Sequence, residues 1–553
     1  MRRRKRGYPG RPVCLLLGWN GFVTRSVTFS ATLPLLSLLT ACTVGPDYQT
    51  PAVPVPEHWQ TPGSVDAPQQ PPSNRREPLW IHPKNGGQDC SSSENRGEGD
   101  LKNAACDPAT TWWQTFHDPL LERLIQQAVE HNLDYRQALD RIGAARAQYS
   151  MAVAAGLPTF SGRSSVNRRR NSFGGGVSGG TNSPIGIGGG AGRNISNIFQ
   201  AGFDAAWELD VFGGIRRGME AAAANTEAER DNSRAVLVSL LGEVARHYIE
   251  LRLAQRQMVI LQDTQAAAAE LLRLTLVRKQ AGLESGLAVA QAQTLLANTQ
   301  AQLPEHALAA QQAIHALGVL LGQAPGALSD ALNDSLPGDM PALHAAVTPD
   351  LPSTLLLRRP DIGAAERRLA AATAQIGVAS ADLYPKFNLT AFLGLQNPNL
   401  AQFTPVGKSW SMAAAASLPL FNWGRIRANI EAKEAQRDEL LHAYQAAVLN
   451  ALRDVEDALT AQREDEQRRL ALEQARQAAD TTLQLAVERY RRGLTAFSDV
   501  LDAKRGLLEV QNRLAEHQAR IATDLVALYK ALGGGWQVWE ESPHSSSECH
   551  YPC

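Results

Sequence analysis

The sequence predicts a mainly α-helical chain with a smaller β part, built as two copies of one unit. Three observations carry this reading. First, the second half repeats the first at a fixed offset: Gly213 with Ile215-Arg216 matches Gly424 with Ile426-Arg427, and 424 − 213 = 211. The same offset returns where Gly282-Leu283 answers Gly493-Leu494, as duplication of a whole unit requires. An upstream pair, Pro158-Thr159-Phe160 and Pro385-Lys386-Phe387, lies 385 − 158 = 227 apart. The 16 extra residues (227 − 211) fall in a Gly-rich insert near 171–193, where a loop grows at small entropic cost. Second, Ala, Gln, Leu, Arg and Glu dominate 215–318 and 424–530, the mixture of long helices. Third, between Pro158 and Gly213, and again between Pro385 and Gly424, the apolar period drops to two residues.

The elements follow in chain order. Residues 1–41 read as a secretory leader: Arg2 to Arg6, Arg11 and Arg25 precede the apolar run Ala31–Leu39. Leu39-Thr40-Ala41-Cys42 resembles a bacterial lipobox. Cys42 is then the lipidated mature N-terminus, carrying diacylglycerol and an N-acyl chain, since stable anchoring needs more than one chain. A leader cleaved without lipid is the alternative, and the small Ala41 favours lipidation. Thr43 follows, not the Asp that commonly retains such lipoproteins at the inner membrane. No later segment reaches the about 18 apolar residues of a spanning helix, so any membrane crossing must use strands.

Residues 42–110 read as an extended lead-in with a disordered insert, rich in Pro, Gln, Ser and Gly. The first repeat, 111–324, opens with a helix after Asp118-Pro119 that places Leu120, Leu121, Leu124, Ile125 and Ala128 on one face and runs to about 155. Two strands follow. Phe199, Ala201, Phe203, Ala205, Trp207 and Leu209 alternate with a largely polar row, while a strand near 159–170 is crowded by Arg168–Arg170. A Pro-free helix over 215–280 carries a seam of Leu237, Leu241, Val244, Tyr248, Leu251 and Met258. Gly282-Leu283 turns the chain into a return helix, about 286–318. A Pro- and Gly-rich linker, 325–353, leads to the second repeat, 354–532. There the strand rows are Phe387 to Leu395 and Trp410 to Leu420, the long helix is 426–491, and the return helix is about 496–532. Residues 533–553 read as a flexible tail.

Four strands cannot close a barrel, and open edges cannot face lipid because their backbone groups would go unpaired. Two copies would make eight strands with a side-chain-filled interior; three make twelve and leave a passage. A homotrimer is the smallest arrangement with a pore.

The net charge of −1 supplies no basic field for nucleic acid. Cys90 and Cys106 either form a disulfide or remain free thiols in the insert, and the terminal Cys549, His550 and Cys553 fall short of a four-ligand metal site. His131, His247, His315 and His442 are scattered without carboxylates at useful spacing, and the Gly-Gly-Gly runs lack the Lys-Ser/Thr of a phosphate loop. No catalytic constellation emerges, no cofactor beyond the covalent lipid is expected, and an enzyme is not expected.

Over about 110–535 the chain resembles the TolC-like outer-membrane factors, in the lipoprotein (NodT-type) branch serving resistance–nodulation–division efflux pumps. The resemblance rests on the lipobox with its following VGPDY, on WWQTFHDPLLERLIQQAVEHNLDYRQA (112–138), LLLRRPDIGAAERRLAAATAQIGVASADLYPKF (355–387), PLFNWGRIRANI (419–430) and YRRGLTAFSDVLDAKRGLL (490–508). It implies a trimer with a 12-stranded outer-membrane β-barrel, a long periplasmic α-helical barrel and a mixed equatorial domain. It also implies a periplasmic adaptor (membrane fusion) protein and an inner-membrane pump as partners, in a Gram-negative envelope. The insert near 75–107 and the end beyond Trp536 depart from the pattern.

In the family the second helix turn lines the periplasmic aperture. The matching positions are Tyr490, Asp499 and Asp502, with Gly282, Leu283, Gly493 and Leu494 at the helix tips. Asp499 and Asp502, three apart, share a helix face. Three-fold symmetry would make a ring of carboxylates that recruits cations and constricts the opening. The first repeat has Ala288 and Gln291 there (499 − 211 and 502 − 211), so the charge belongs to one repeat. Arg491 and Arg492 would hold a closed state by pairing with these acids. Two rival readings are a type I protein-secretion duct and a non-conducting lipoprotein that braces the envelope.

Overall fold

The computed structural model describes residues 43–56, 58–59, 109–171, 194–333, 352–400 and 408–540. The leader, Cys42, the insert with Cys90 and Cys106, and the terminal Cys549, His550 and Cys553 lie outside the described residues. Thr43–Cys553 forms one unit.

Helix α1 (Pro119–His131) begins where Asp118 Oδ1 accepts from the backbone N–H of Leu120 at 2.9 Å, with Pro119 at the first helical position. The expected single helix to about 155 is in fact two. Asn132 ends α1 and caps α2 (Leu133–Ala155), its side chain accepting from Tyr135 N–H at 2.8 Å and donating to Leu320 O at 2.9 Å. An amide that both caps a helix and binds a distant carbonyl bends the chain at a point no apolar period marks.

The two long helices, α3 (Gly214–Gln280) and α6 (Arg425–Arg491), are 67 residues each, on the order of 100 Å. Both start after a glycine in left-handed backbone, Gly213 at φ +80 and Gly424 at φ +81. They turn back into α4 (Gly286–Leu320) and α7 (Phe497–Ala531). Helix α5 (Pro360–Ala381) precedes the second strand pair, as α2 precedes the first. The seam residues Leu237, Leu241, Val244, Tyr248 and Leu251 are buried, as are Tyr444, Val448, Val455 and Leu459 of α6; Met258 and Leu441 are only half-buried.

Strands β1 (Thr159–Asn171), β2 (Asn194–Leu209), β3 (Lys386–Asn397) and β4 (Lys408–Ser417) form one antiparallel sheet in that order. Arg168–Arg170 do not end β1; they remain paired with β2. Direct partners such as Phe160 with Ala205, Phe203 with Leu393 and Leu393 with Trp410 join the apolar rows into a single face. The opposite face carries Ser161, Arg163, Asp204, Glu208, Asn388, Thr390 and Ser411. Among the described residues no helix is long and apolar enough to cross a membrane.

The main core joins the repeats at mid-height: Trp112, Phe116, Leu121 and Ile125 pack with Leu241, Tyr248, Ile314, Leu317 and Tyr529. Trp112 stacks on Tyr529 at 5.8 Å between ring centroids. Residues 533–540 correct the expected flexible tail. Trp539 stacks on Trp113 at 6.4 Å, Arg234 lies 4.5 Å over Trp536, and a Cβ on Gly534 would collide with Ala109 O. Aromatic burial and a close backbone approach order this stretch; 541–553 lie outside the described residues. The linker also holds a short packed helix, Ser329–Asn333, with Leu332 buried. Its carbonyl accepts from Gln255 Nε2 at 3.0 Å.

Residues 43–59 are a strap laid along the helices. Val44 N–H donates to Phe212 O at 3.1 Å, and Arg217, 5% exposed, donates to Val44 O, Gly45 O and Asp47. Further on, Val53 and Val55 pack with Ile362, Tyr444 and Val448, and Trp59 with Val455 and Leu459.

Candidate functional site

The two helix turns come together at one end of the molecule. Their backbones are alike: Gly282 and Gly493 adopt φ +74 and +75, and Leu283 N–H and Leu494 N–H each return 2.9 Å to the carbonyls of Arg278 and Arg489. This is the glycine-terminated helix end, in which a left-handed residue lets the next N–H satisfy an orphan carbonyl. The caps of the return helices differ. Ser285 Oγ accepts from Ala288 N–H at 3.2 Å, whereas Ala496 has no side chain to do so. Leu283 and Leu494 are 68% and 64% exposed, two apolar side chains held in solvent at the tips.

Behind the tips, Tyr490 is buried in a cluster with Ala268, Ala288, Ala292, Leu295, Phe497, Val500 and Leu501. Its hydroxyl donates to Glu284 Oε2 at 3.0 Å, and Arg278 of the first repeat covers its ring at 4.7 Å. Arg278 also donates to Tyr490 O at 3.2 Å and lies 3.8 Å from Glu284. Burial first, with the Glu284 bond behind it, holds the Tyr490 phenol above its ordinary value. Tyr490 therefore ties the second turn to the first from inside the protomer. Arg278 and Glu284 complete this lock and were missed in the sequence. They lie on either side of Gly282, but nothing in their spacing singled them out.

Asp499 and Asp502 stand exposed on α7 beside this lock. Asp502 is 3.8 Å from Arg505, one turn along. Within the protomer Arg492 pairs with Glu488 at 2.6 Å. The structure thus brings Tyr490 to the first repeat's turn and directs Arg492 along its own helix. Exposed pairs of this kind contribute little. His131 Nδ1 lies 4.0 Å from Glu130 Oε2, and His247 departs further from expectation, its Nδ1 2.8 Å from Glu250 Oε2. This i,i+3 pair lies on the outer surface of α3.

A second polar cluster, also missed, sits higher between α6 and α7. Asp465 and His517 are 5% and 2% exposed, with His517 Nε2 2.8 Å from Asp465 O. Asp524 contacts Asp465 and lies 3.4 Å from Arg520. Burial, then the bond and repulsion from Asp465, push Asp524 up to about 6.

Comparison with known proteins agrees with this architecture. The profile of the family described as "Outer membrane efflux protein" matches residues 124–323 and 351–534. The solvent efflux pump outer membrane protein SrpC of Pseudomonas putida is 32% identical over 512 residues, which covers 92% of this chain and 98% of that protein. Nodulation protein T of Rhizobium leguminosarum bv. viciae is 30% identical over 510 residues, covering 92% and 93%. Among solved structures, the outer-membrane channel OprN superposes with a TM-score of 0.75 at 32% identity, over 90% of this chain and all of that one. The open state of the Neisseria gonorrhoeae MtrE outer membrane channel gives 0.69 at 27%, over 90% and 99%. A duplicated chain of two strand pairs and two very long helix hairpins, matched along nearly its whole length, belongs to the outer membrane efflux protein family.

Proposed function

We propose that this chain is one third of a passive exit duct in the outer membrane. Small toxic compounds reach the duct from an inner-membrane resistance–nodulation–division pump through a periplasmic adaptor. Relatives named as solvent and toluene efflux pump outer membrane proteins support that cargo class for the chain. The observation that carries the reading is a sheet with two open edges, continued by a wall of helices with one open flank. Helix α3 packs along α2, α4, α5 and α7, whereas α6 packs extensively with α5 and α7. The positions that α5 and α7 fill beside α3 await α2 and α4 of another copy beside α6. Closure of three sheets places the apolar face toward lipid and the polar face around a twelve-stranded lumen.

The strap supports a lipid on Cys42. Thr43 packs against Gly213 and Val44 binds Phe212, so the chain leaves the body at the foot of β2, level with the membrane surface of such a barrel. Mass spectrometry of the mature N-terminus tests this; an unmodified Cys42 removes the anchor. At the far end the exposed tips with Leu283 and Leu494 are the adaptor's landing, and Asp499 and Asp502 of three copies form the acidic constriction. The double substitution Asp499→Ala with Asp502→Ala raises single-channel conductance in planar bilayers several-fold, about 3–10, as constriction charges are lost. Unchanged conductance would remove the gate assignment.

A further inference from the structure

The polar cluster between α6 and α7 divides the second helix hairpin into two unlike halves. Above Asp465, α6 buries Tyr444, Val448, Ala451, Val455, Ala458 and Leu459. Below it, no residue of 466–489 is buried within the protomer, a stretch of 24 residues and about 36 Å. The equivalent stretch of α3, 255–278 after subtracting 211, buries seven, among them Ile260, Leu261 and Ala268. Within its own protomer the lower arm of α6 is thus fixed by buried side chains only at its two ends. One end is the Tyr490 lock, and the other is the cluster at Asp465.

That cluster is polar where apolar packing would serve. The offset of 211 carries Asp465 to Ala254 and Asp524 to Ala313, both buried in the first repeat. Two carboxyls in place of two alanines cost desolvation, and here they are incompletely satisfied. His517 Nε2 lies 2.8 Å from Asp465 O, and because a carbonyl only accepts, Nε2 carries a hydrogen. His517 Nδ1 and Asp465 Oδ2 are both buried without a hydrogen-bond partner. Asp465 Oδ1 has Arg520 Nε at 3.8 Å and His517 Nδ1 at 3.9 Å, beyond hydrogen-bond reach. The side chain of Asp524 meets that of Asp465. Two ionised carboxylates in contact repel and have no hydrogen to share, whereas one proton between them supplies the missing donor.

We infer that Asp465 and Asp524 bind one proton between them, and that this proton fixes the lower arm of α6 to α7. The proton comes from water: Asp524 lines a cavity of about 430 Å³ with Arg359, Asp454 and the exposed Asp457 and Lys530. It sits on an Asp524 oxygen, which donates to Asp465. The other charges around the cluster are already engaged. Arg359 lies 3.4 Å from Asp454, Arg520 3.4 Å from Asp524 and Arg469 2.8 Å from Glu466, and Glu516 accepts from Gln257 of α3 at 3.3 Å. Asp524 titrates at about 6 in place and returns to 3.8 when the arm is away. Release is therefore resisted at low pH, becomes about tenfold easier between pH 5 and pH 7.5, and changes no further above that.

Hydrogen exchange by mass spectrometry on the full-length protein in lipid nanodiscs, corrected for the intrinsic rate at each pH, reads this attachment. An arm detached from its partner frays, because a lone helix of this length is marginal in water. Opening within 466–489 rises about tenfold from pH 5 to pH 7.5, while 255–278 is unchanged. Asp524→Asn, whose amide donates to Asp465 at any pH, keeps the pH 5 level throughout. Asp524→Ala, with no carboxyl to titrate, shows no step. A parent that exchanges equally at both pH values, or a step that survives in either variant, overturns the inference. The exchange needs no pore, so a protein that fails to conduct in bilayers removes the duct reading and leaves this one standing.

Discussion

Helices α3 and α6 have the same length and the same place in their repeats, yet 24 residues of α3 are buried and only 9 of α6. Val238 and Leu449 make the point at one pair of equivalent positions, since 449 − 211 = 238. Val238 is 6% exposed and Leu449 is 60% exposed. Duplication copies an apolar residue to both sites, but the chain has neighbours for only one. The difference lies in position within the assembly: α3 is in the middle of the protomer's own wall, and α6 is at its edge. An apolar stripe on such an edge marks a surface made to be covered.

The largest effect expected is at this pair. Val238→Asp places an unpaired charge in a closed core, costs about 3–5 kcal/mol, and prevents accumulation of folded protein in the outer membrane. Leu449→Asp leaves the protomer folded and instead abolishes the trimer band of unheated gels. Equal behaviour of the two variants would break the comparison.

A smaller effect is expected where the repeats differ in sequence. Arg217 holds the strap on α3, while its counterpart on α6 is Ala428 (217 + 211), which is exposed. Arg217→Ala removes a buried cation's bonds to Val44 O, Gly45 O and Asp47, about 2–3 kcal/mol. The readout is limited proteolysis: cleavage within 43–59 rises while the helical body persists. Resistance equal to the parent's would show that Val53, Val55 and Trp59 hold the strap without Arg217.

The smallest effect separates the return helices, where buried Ala313 of α4 answers Asp524 of α7 (524 − 211 = 313). A carboxyl whose pKa is raised on folding stabilises the fold while protonated. That contribution is whole below pH 3.8 and is lost as pH climbs through about 6. At pH 7 the ionised Asp524 is therefore a cost. Asp524→Asn raises thermal stability by about 1 kcal/mol at pH 7 and by less at pH 4. A gain that is equal at both pH values would assign the effect to something other than this carboxyl.

Much of this protein was legible in one sequence because long elements leave long periods. The two 67-residue helices, the alternating strands and the turns at Gly282 and Gly493 all repeat local rules, and the offset of 211 repeats those rules in turn. What escaped were single residues acting across distance. Asn132 splits a helix through a bond to Leu320, and Trp536 and Trp539 fix a terminus that by composition reads as loose. Arg278 and Glu284 close over Tyr490 from the other repeat. Asp465 and His517 bury polar groups inside a helix pair whose period predicts only apolar ones. None of these is visible in a local window, because the partner lies from 52 residues (His517 to Asp465) to 539 − 113 = 426 residues (Trp539 to Trp113) away.

The sequence by itself determined the duplication, the element types, the parity of each strand and the identity of the tip residues, since these depend on local sterics and on periods along the chain. Only the tertiary structure decided the strand order, the burial of Tyr490 rather than its exposure, the course of the strap and the inequality of α3 and α6. Those depend on which surfaces meet, and two copies of one pattern meet different neighbours when a chain has ends.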